Sequence, residues 1–123
     1  MNKLVISLGS NCGNRTNNVM QAADWLSRLL QDAACSEIYE TPEIHGVGDP
    51  YMNAVIIGLS DNDYDSLNSC FKQYEIRAGR NNDARNRGEV PIDIDIVIWN
   101  DHVIRHSDYS ANFFKIGYLA LIK

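Results

Sequence analysis

The chain has 123 residues, 45% hydrophobic and 22% charged, which suits one globular domain, 1–123, with a real core. Its net charge of −5 argues against a general nucleic-acid binder, whose footprint is basic. No apolar stretch nears membrane-spanning length and Leu4-Val5-Ile6 is not a leader's apolar region, so a cytoplasmic monomer without membrane or nucleic-acid partners is expected.

Lys3–Leu8 predicts a strand, closed by Gly9-Ser10-Asn11 and Gly13. From Arg15 to Asp32, Val19, Ala22, Ala23, Leu26, Leu29 and Leu30 recur at helical spacing, with Asn14 or Thr16 as cap. Cys35–Thr41 predicts a second strand that stops before Pro42, and Pro42–Pro50 a loop. Met52–Ser60, rich in Val and Ile, predicts a third strand. Asp61-Asn62-Asp63 turns the chain into a helix whose apolar face is Leu67, Cys70, Phe71 and Tyr74, ending near Gly79. Ile92–Trp99 is the next strand, and Asn100-Asp101 can fold His102–Ile104 back on it. The β-α-β-β-α-β order predicts an α+β fold, a ferredoxin-like α/β sandwich with helices on one face of a mainly antiparallel sheet. Arg105–Lys123 lacks a clear pattern, although Phe113, Phe114, Tyr118 and Leu119 imply that it packs back. Cys12, Cys35 and Cys70 have neither CxxC nor zinc spacing, so reduced thiols are expected.

Two stretches carry chemistry. In Ile92-Asp93-Ile94-Asp95-Ile96 the strict alternation sends the isoleucines to a core and both carboxylates to the other, solvent-facing side. Two like charges so close repel unless protonated or bridged by a cation, and oxygen ligands select a hard ion such as Mg²⁺. A half-exposed strand with a solvated acidic face reads the same pattern without a ligand. Upstream, four of the seven arginines fall between Arg77 and Arg87 in a polar segment with no periodicity, which reads as a long loop. Arginine holds phosphate oxygens and aspartate holds metal, so the pair suits a polyphosphate–metal complex, while a solvated surface loop is the simpler alternative. His45, His102 and His106 lack metal-ligand spacing, and the first two read as solvent-facing.

Several patterns occur in order: Ser7-Leu8-Gly9-Ser10-Asn11, Tyr39-Glu40-Thr41-Pro42, Tyr51-Met52-Asn53-Ala54, Glu75 before Gly79-Arg80, and Asp93-Ile94-Asp95. This set resembles 6-hydroxymethyl-7,8-dihydropterin pyrophosphokinase of the folate pathway, over roughly residues 3–104. The resemblance implies transfer of pyrophosphate from ATP to the pterin hydroxymethyl oxygen, with release of AMP. It implies small-molecule substrates only, with Asp93 and Asp95 binding two Mg²⁺ ions and Arg80 joining them in catalysis. It assigns the pterin to Tyr51 and Tyr118 as stacking partners, to Asn53 as reader of the amide edge, and to Thr41, Pro42 and Ile44 for further contacts. It assigns ATP to Glu75, Arg80, Arg85 and Arg87.

The ATP side departs from the family pattern. Val90 stands where the family carries an arginine, and Arg105-His106-Ser107-Asp108-Tyr109 is a loose match to its histidine-containing segment. Arg85, Arg87 and Lys115 could compensate from shifted positions. These departures support an alternative: a non-catalytic pterin- or nucleotide-binding homologue with a degenerate ATP site.

Overall fold

The computed structural model describes residues 1–123. β1 (Asn2–Ser10) is buried from Leu4 to Ser10, because both faces of the sheet are covered there. After it come α1 (Arg15–Leu29), β2 (Gln31–Cys35), β3 (Tyr39–Thr41) and β4 (Tyr51–Ser60). Then follow α2 (Tyr64–Arg77), α3 (Asn82–Asn86), β5 (Asp93–Trp99), β6 (His102–Val103), α4 (His106–Ser110) and α5 (Asn112–Leu121). The sheet runs β2-β4-β1-β5-β6, β3 also pairs with β4, and every pairing is antiparallel. This is the expected α+β, ferredoxin-like arrangement.

α1 and α2 cover one face. Val19, Ala22, Ala23 and Leu26 of α1 and Leu67 and Phe71 of α2 meet Leu4, Ile6, Leu8, Ile94 and Ile96 from the sheet. The helices are not confined to that face, as the sequence pattern had implied. α5 closes the other side, where Phe114 packs with Val5, Val55, Val97 and Ile98. A bulge makes room for this second core: Val5 pairs with Ile98 but Ile6 with Ile96, so Val97 is extra.

Three boundaries differ from expectation, each for a local reason. α1 stops at Leu29 rather than Asp32: Leu30 turns extended and buries itself over Gly58, where a Cβ would lie 2.9 Å from it. Of the strand expected over Cys35–Thr41, only Cys35, the end of β2, and Tyr39–Thr41 form, because three residues, 36–38, face only two, 54–55, on β4. At that break the Ser36 hydroxyl, not a carbonyl, accepts the Val55 N–H at 2.9 Å. The arginine-rich loop contains α3, capped by Asn81, whose Oδ1 accepts the Ala84 N–H at 2.9 Å.

Candidate functional site

The C-terminal end of β1 lies between the N-terminal ends of β4 and β5, with Gly9 opposite both Asn53 and Asp93. A Cβ on Gly9 would meet the Tyr51 ring at 3.4 Å and Asn53 Oδ1 at 3.6 Å, so glycine keeps this floor clear. Above it lies a cavity of about 190 Å³, walled by Thr41, Tyr51, Asn53, Asp93 and Phe113. Pro42 and Ile44 close its rim. Five of the six residues that the sequence assigned to the pterin therefore come together here.

Tyr118 is the exception: it does not line the cavity. Along α5, Phe114, Tyr118 and Leu121 share the helix face packed on the sheet, and Tyr118 stacks on Phe114 with centroids 5.1 Å apart. Phe113, one position before Phe114, packs against the same core and also lines the cavity, which Tyr118 does not. The chain's last aromatics carried no marker of helix phase, so sequence reasoning missed Phe113.

Asn53 is buried, and its Nδ2 is committed to the protein. It donates to Thr41 Oγ1 at 2.7 Å, to Tyr51 C=O at 3.2 Å and to Tyr39 C=O at 3.3 Å. What remains toward the cavity is Oδ1, an acceptor. With Nδ2 so engaged, the Asn53 side chain has only an acceptor left for a group in the cavity.

Asp93 also lines a second, polar groove of about 500 Å³, with Asp95, Glu75, Lys72, Arg80 and Arg105. Glu75, Asp93 and Asp95 place carboxylate oxygens within 4.8 Å of one another. Three cations neutralise them. Arg80 reaches Asp93 at 2.7 Å and Glu75 at 3.1 Å; Lys72 reaches Glu75 and Asp95, each at 3.0 Å; Arg105 lies 3.8 Å from Asp95. Lys72 also donates to Ile94 C=O at 2.9 Å, while Glu75 accepts the Ile94 N–H at 2.7 Å. Both satisfy the outer edge of β5, which β6 is too short to cover.

Asp95 is only 9% exposed, against the expectation that its carboxylate faces solvent, because Lys72 and Arg105 fold over it. Burial, then the Asp93 charge, pushes the Asp95 pKa up, opposed by Lys72 and Arg105. Burial disfavours the Lys72 charge, yet Asp95 and Glu75 outweigh it and hold its pKa above the ordinary value. An all-oxygen donor set this tight fits a hard divalent cation, which would displace the resident ammonium and guanidinium groups.

The backbone explains Arg80. α2 ends in a Schellman turn: Gly79, at φ 108°, donates to Ile76 C=O, and Arg80 N–H reaches back to Glu75 C=O at 3.1 Å. That turn points Arg80 back at Glu75 and Asp93. Beyond it, Arg85 lines the polar groove, whereas Arg87 is exposed, pairs with Glu89 at 2.7 Å and reaches neither cavity nor groove. Lys115 is also exposed, away from the groove. Val90 lines a neighbouring groove with Arg80 and Arg85. The buried Asn11 pins this segment, accepting the Val90 N–H at 2.6 Å and donating to Gly88 C=O at 2.9 Å. Sequence reasoning missed Lys72, for which only the i,i+3 spacing to Glu75 hinted at a pair, and gave Arg105 only as part of a loosely matched segment.

Residues 5–123 match the family described as 7,8-dihydro-6-hydroxymethylpterin-pyrophosphokinase (HPPK). The chain is 34% identical over 108 residues to a folate synthesis bifunctional protein of Arabidopsis thaliana, covering 83% of this chain and 22% of that protein. It is 33% identical over 115 residues to the folate synthesis bifunctional protein of Chlamydia trachomatis, covering 87% of this chain and 25% of that one. A mitochondrial folate synthesis bifunctional protein of Arabidopsis thaliana is 34% identical over 101 residues, 79% of this chain and 18% of its own. The chain thus spans about a quarter or less of the length of these curated relatives.

Proposed function

The chain belongs to the 7,8-dihydro-6-hydroxymethylpterin-pyrophosphokinase family, and from that premise we propose that it transfers pyrophosphate from ATP to 6-hydroxymethyl-7,8-dihydropterin, releasing AMP, as a step of folate biosynthesis. The observation that carries this reading is the place of Asp93. It is the one carboxylate that borders both the aromatic cavity and the charged groove. A hydroxymethyl group on a heterocycle held in the cavity would end beside it, facing a polyphosphate held in the groove.

Tyr51 and Phe113 give the flat heterocycle apolar contact, and Asn53 Oδ1 accepts from its donor edge. Asp93 and Asp95, with Glu75 beside them, would hold Mg²⁺, two ions on the family's pattern. Bound there, the metal supplies charge neutralisation at the phosphates and orients the attacking oxygen. The groove keeps four cationic side chains, Lys72, Arg80, Arg85 and Arg105, to grip phosphate oxygens despite Val90. Lys72 and Arg105 take the compensating place that the sequence had given to Arg87 and Lys115. No helix is long and apolar enough to cross a membrane. We place the reaction in the cytoplasm, where three unbridged cysteines and small anionic substrates are at home. We read the chain as acting as a monomer.

The test is a coupled assay for AMP formed from ATP, Mg²⁺ and the dihydropterin. AMP release that requires all three is expected. Binding of a pterin analogue without any AMP release would overturn the catalytic reading.

A further inference from the structure

α5 rests on β4 at a close approach. A Cβ on Gly117 would fall 2.7 Å from Val55 Cγ2, 2.8 Å from the Tyr39 hydroxyl oxygen and 3.0 Å from Ser36 Oγ. Glycine is a poor residue for a helix interior, and this contact is what the position requires. The Tyr39 hydroxyl accepts the Gly117 N–H at 3.1 Å and donates to Phe113 C=O. Residues 113 and 117 are the acceptor and donor of one helical rung, so a side chain from the sheet engages both ends of that rung. Phe113, the residue so held, lines the cavity. The other end of Tyr39 serves the opposite wall, its backbone C=O accepting Asn53 Nδ2 at 3.3 Å.

We infer that Tyr39 is a positioning residue for the heterocycle: its hydroxyl fixes how α5 sits on the sheet and thereby places the Phe113 ring at the cavity. The inference rests on the reading of that cavity as the pterin site. A change at Tyr39 acts on binding only through Phe113. Tyr39→Phe keeps the ring that packs under α5, and without the hydroxyl the Gly117 N–H can bond Phe113 C=O directly. The variant therefore keeps its fold, which circular dichroism and a melting curve check.

The experiment titrates 6-hydroxymethylpterin into the full chain by calorimetry, for wild type, Tyr39→Phe, Phe113→Ala and the double variant. Tyr39→Phe should bind roughly 3–10-fold more weakly, the loss of a hydrogen-bonded restraint. In the Phe113→Ala background the same change should have no further effect, because the ring it positions is gone. In turnover, KM for the pterin should rise while KM for ATP stays put. Tyr39→Phe binding like wild type overturns the inference. So does an equal loss in both backgrounds, which would mean that Tyr39 acts through Asn53 or the fold at large. A wild-type protein that binds no pterin defeats the functional reading itself, and the inference with it.

Discussion

The cavity at Tyr51 and the groove at Asp95 share Asp93, yet each is held in shape differently. In the cavity, the group set to read a ligand is fixed by neutral neighbours. Asn53 is locked by Thr41 and by two backbone carbonyls, and what it presents to a ligand is already in place. In the groove, the groups that would meet a ligand are bound to one another. Arg80 lies on Asp93 and Glu75, and Lys72 on Asp95 and Glu75. A ligand would enter the first by fitting and the second by exchange, with metal replacing the cations on the carboxylates and phosphate replacing the carboxylates on the cations. The first region is preorganised; the second trades existing ion pairs for new ones, and its net gain is a difference between large terms.

The strongest attempt to separate the two regions is Asp95→Ala. Loss of a metal ligand should lower Mg²⁺-dependent AMP release by a factor on the order of 1,000, several kcal/mol of charge stabilisation. Affinity for a pterin analogue should stay within about twofold, since binding there does not draw on the ion pairs. Parallel losses in both measurements would break the comparison.

Arg80→Ala sharpens it. Exchange predicts opposite signs: an ATP analogue should bind about 1.5–3 kcal/mol more weakly, a charge-assisted contact being gone. Mn²⁺ should bind the nucleotide-free protein more tightly, because Asp93 and Glu75 have lost their resident cation. Titrations of each ligand, the metal followed by electron paramagnetic resonance, give both signs. Weaker Mn²⁺ binding would show that Arg80 props the carboxylates open rather than competing for them.

Asn53→Ala probes the preorganised side. The pterin analogue should lose roughly 1–2 kcal/mol by calorimetry, with little dependence on added salt, whereas ATP binding should keep its salt dependence and its strength. A strongly salt-dependent pterin loss would mean that Asn53 acts through the neighbouring Asp93 charge rather than through its own hydrogen bonds.

The smallest effect concerns pH. Burial pushes the Tyr39 pKa up from 10.0 to about 12, the hydrogen bond from Gly117 partly opposing this. Below pH 10 both folded and unfolded states hold the proton, and the contribution is fully present. Between pH 10 and 12 the unfolded chain releases it first, so this part of the stability is lost as pH rises toward the folded value. Urea unfolding at about pH 9 and about pH 11 should show a steeper fall for wild type than for Tyr39→Phe. Identical slopes would mean that Tyr39 keeps no such burial in solution.

How much of this was legible in the sequence follows from the range of each cause. Ile92–Trp99 is readable because alternation in a β-branched run is a local signal, and the structure buries Ile92, Ile94 and Ile96 as that pattern demands. The helix end expected near Gly79 is readable because glycine can take the left-handed turn that stops α2 there. The break at Ser36 is not readable, since it depends on which β4 N–H the hydroxyl meets. Nor is the end of α1, where Leu29 and Leu30 look alike but only Leu30 is tucked over Gly58. At the site, residues inside ordered motifs came out together, while Phe113, Lys72 and Arg105 owe their place to packing between elements far apart in the chain. Phe113 lines the cavity and Tyr118 does not, a difference set only where α5 meets the sheet, and the tail offers no periodic anchor for it.

The exposed flank of β5 has a consequence outside ligand binding. An open strand edge is a template on which another chain can extend a sheet. Glu75 and Lys72 cap the N–H and C=O of Ile94 from the side, and Arg105 crowds the same flank. The charges that would handle phosphate and metal therefore also keep the sheet from growing. The patch serves two ends, and a substitution that unseats Lys72 or Glu75 should leave a strand edge open to self-association.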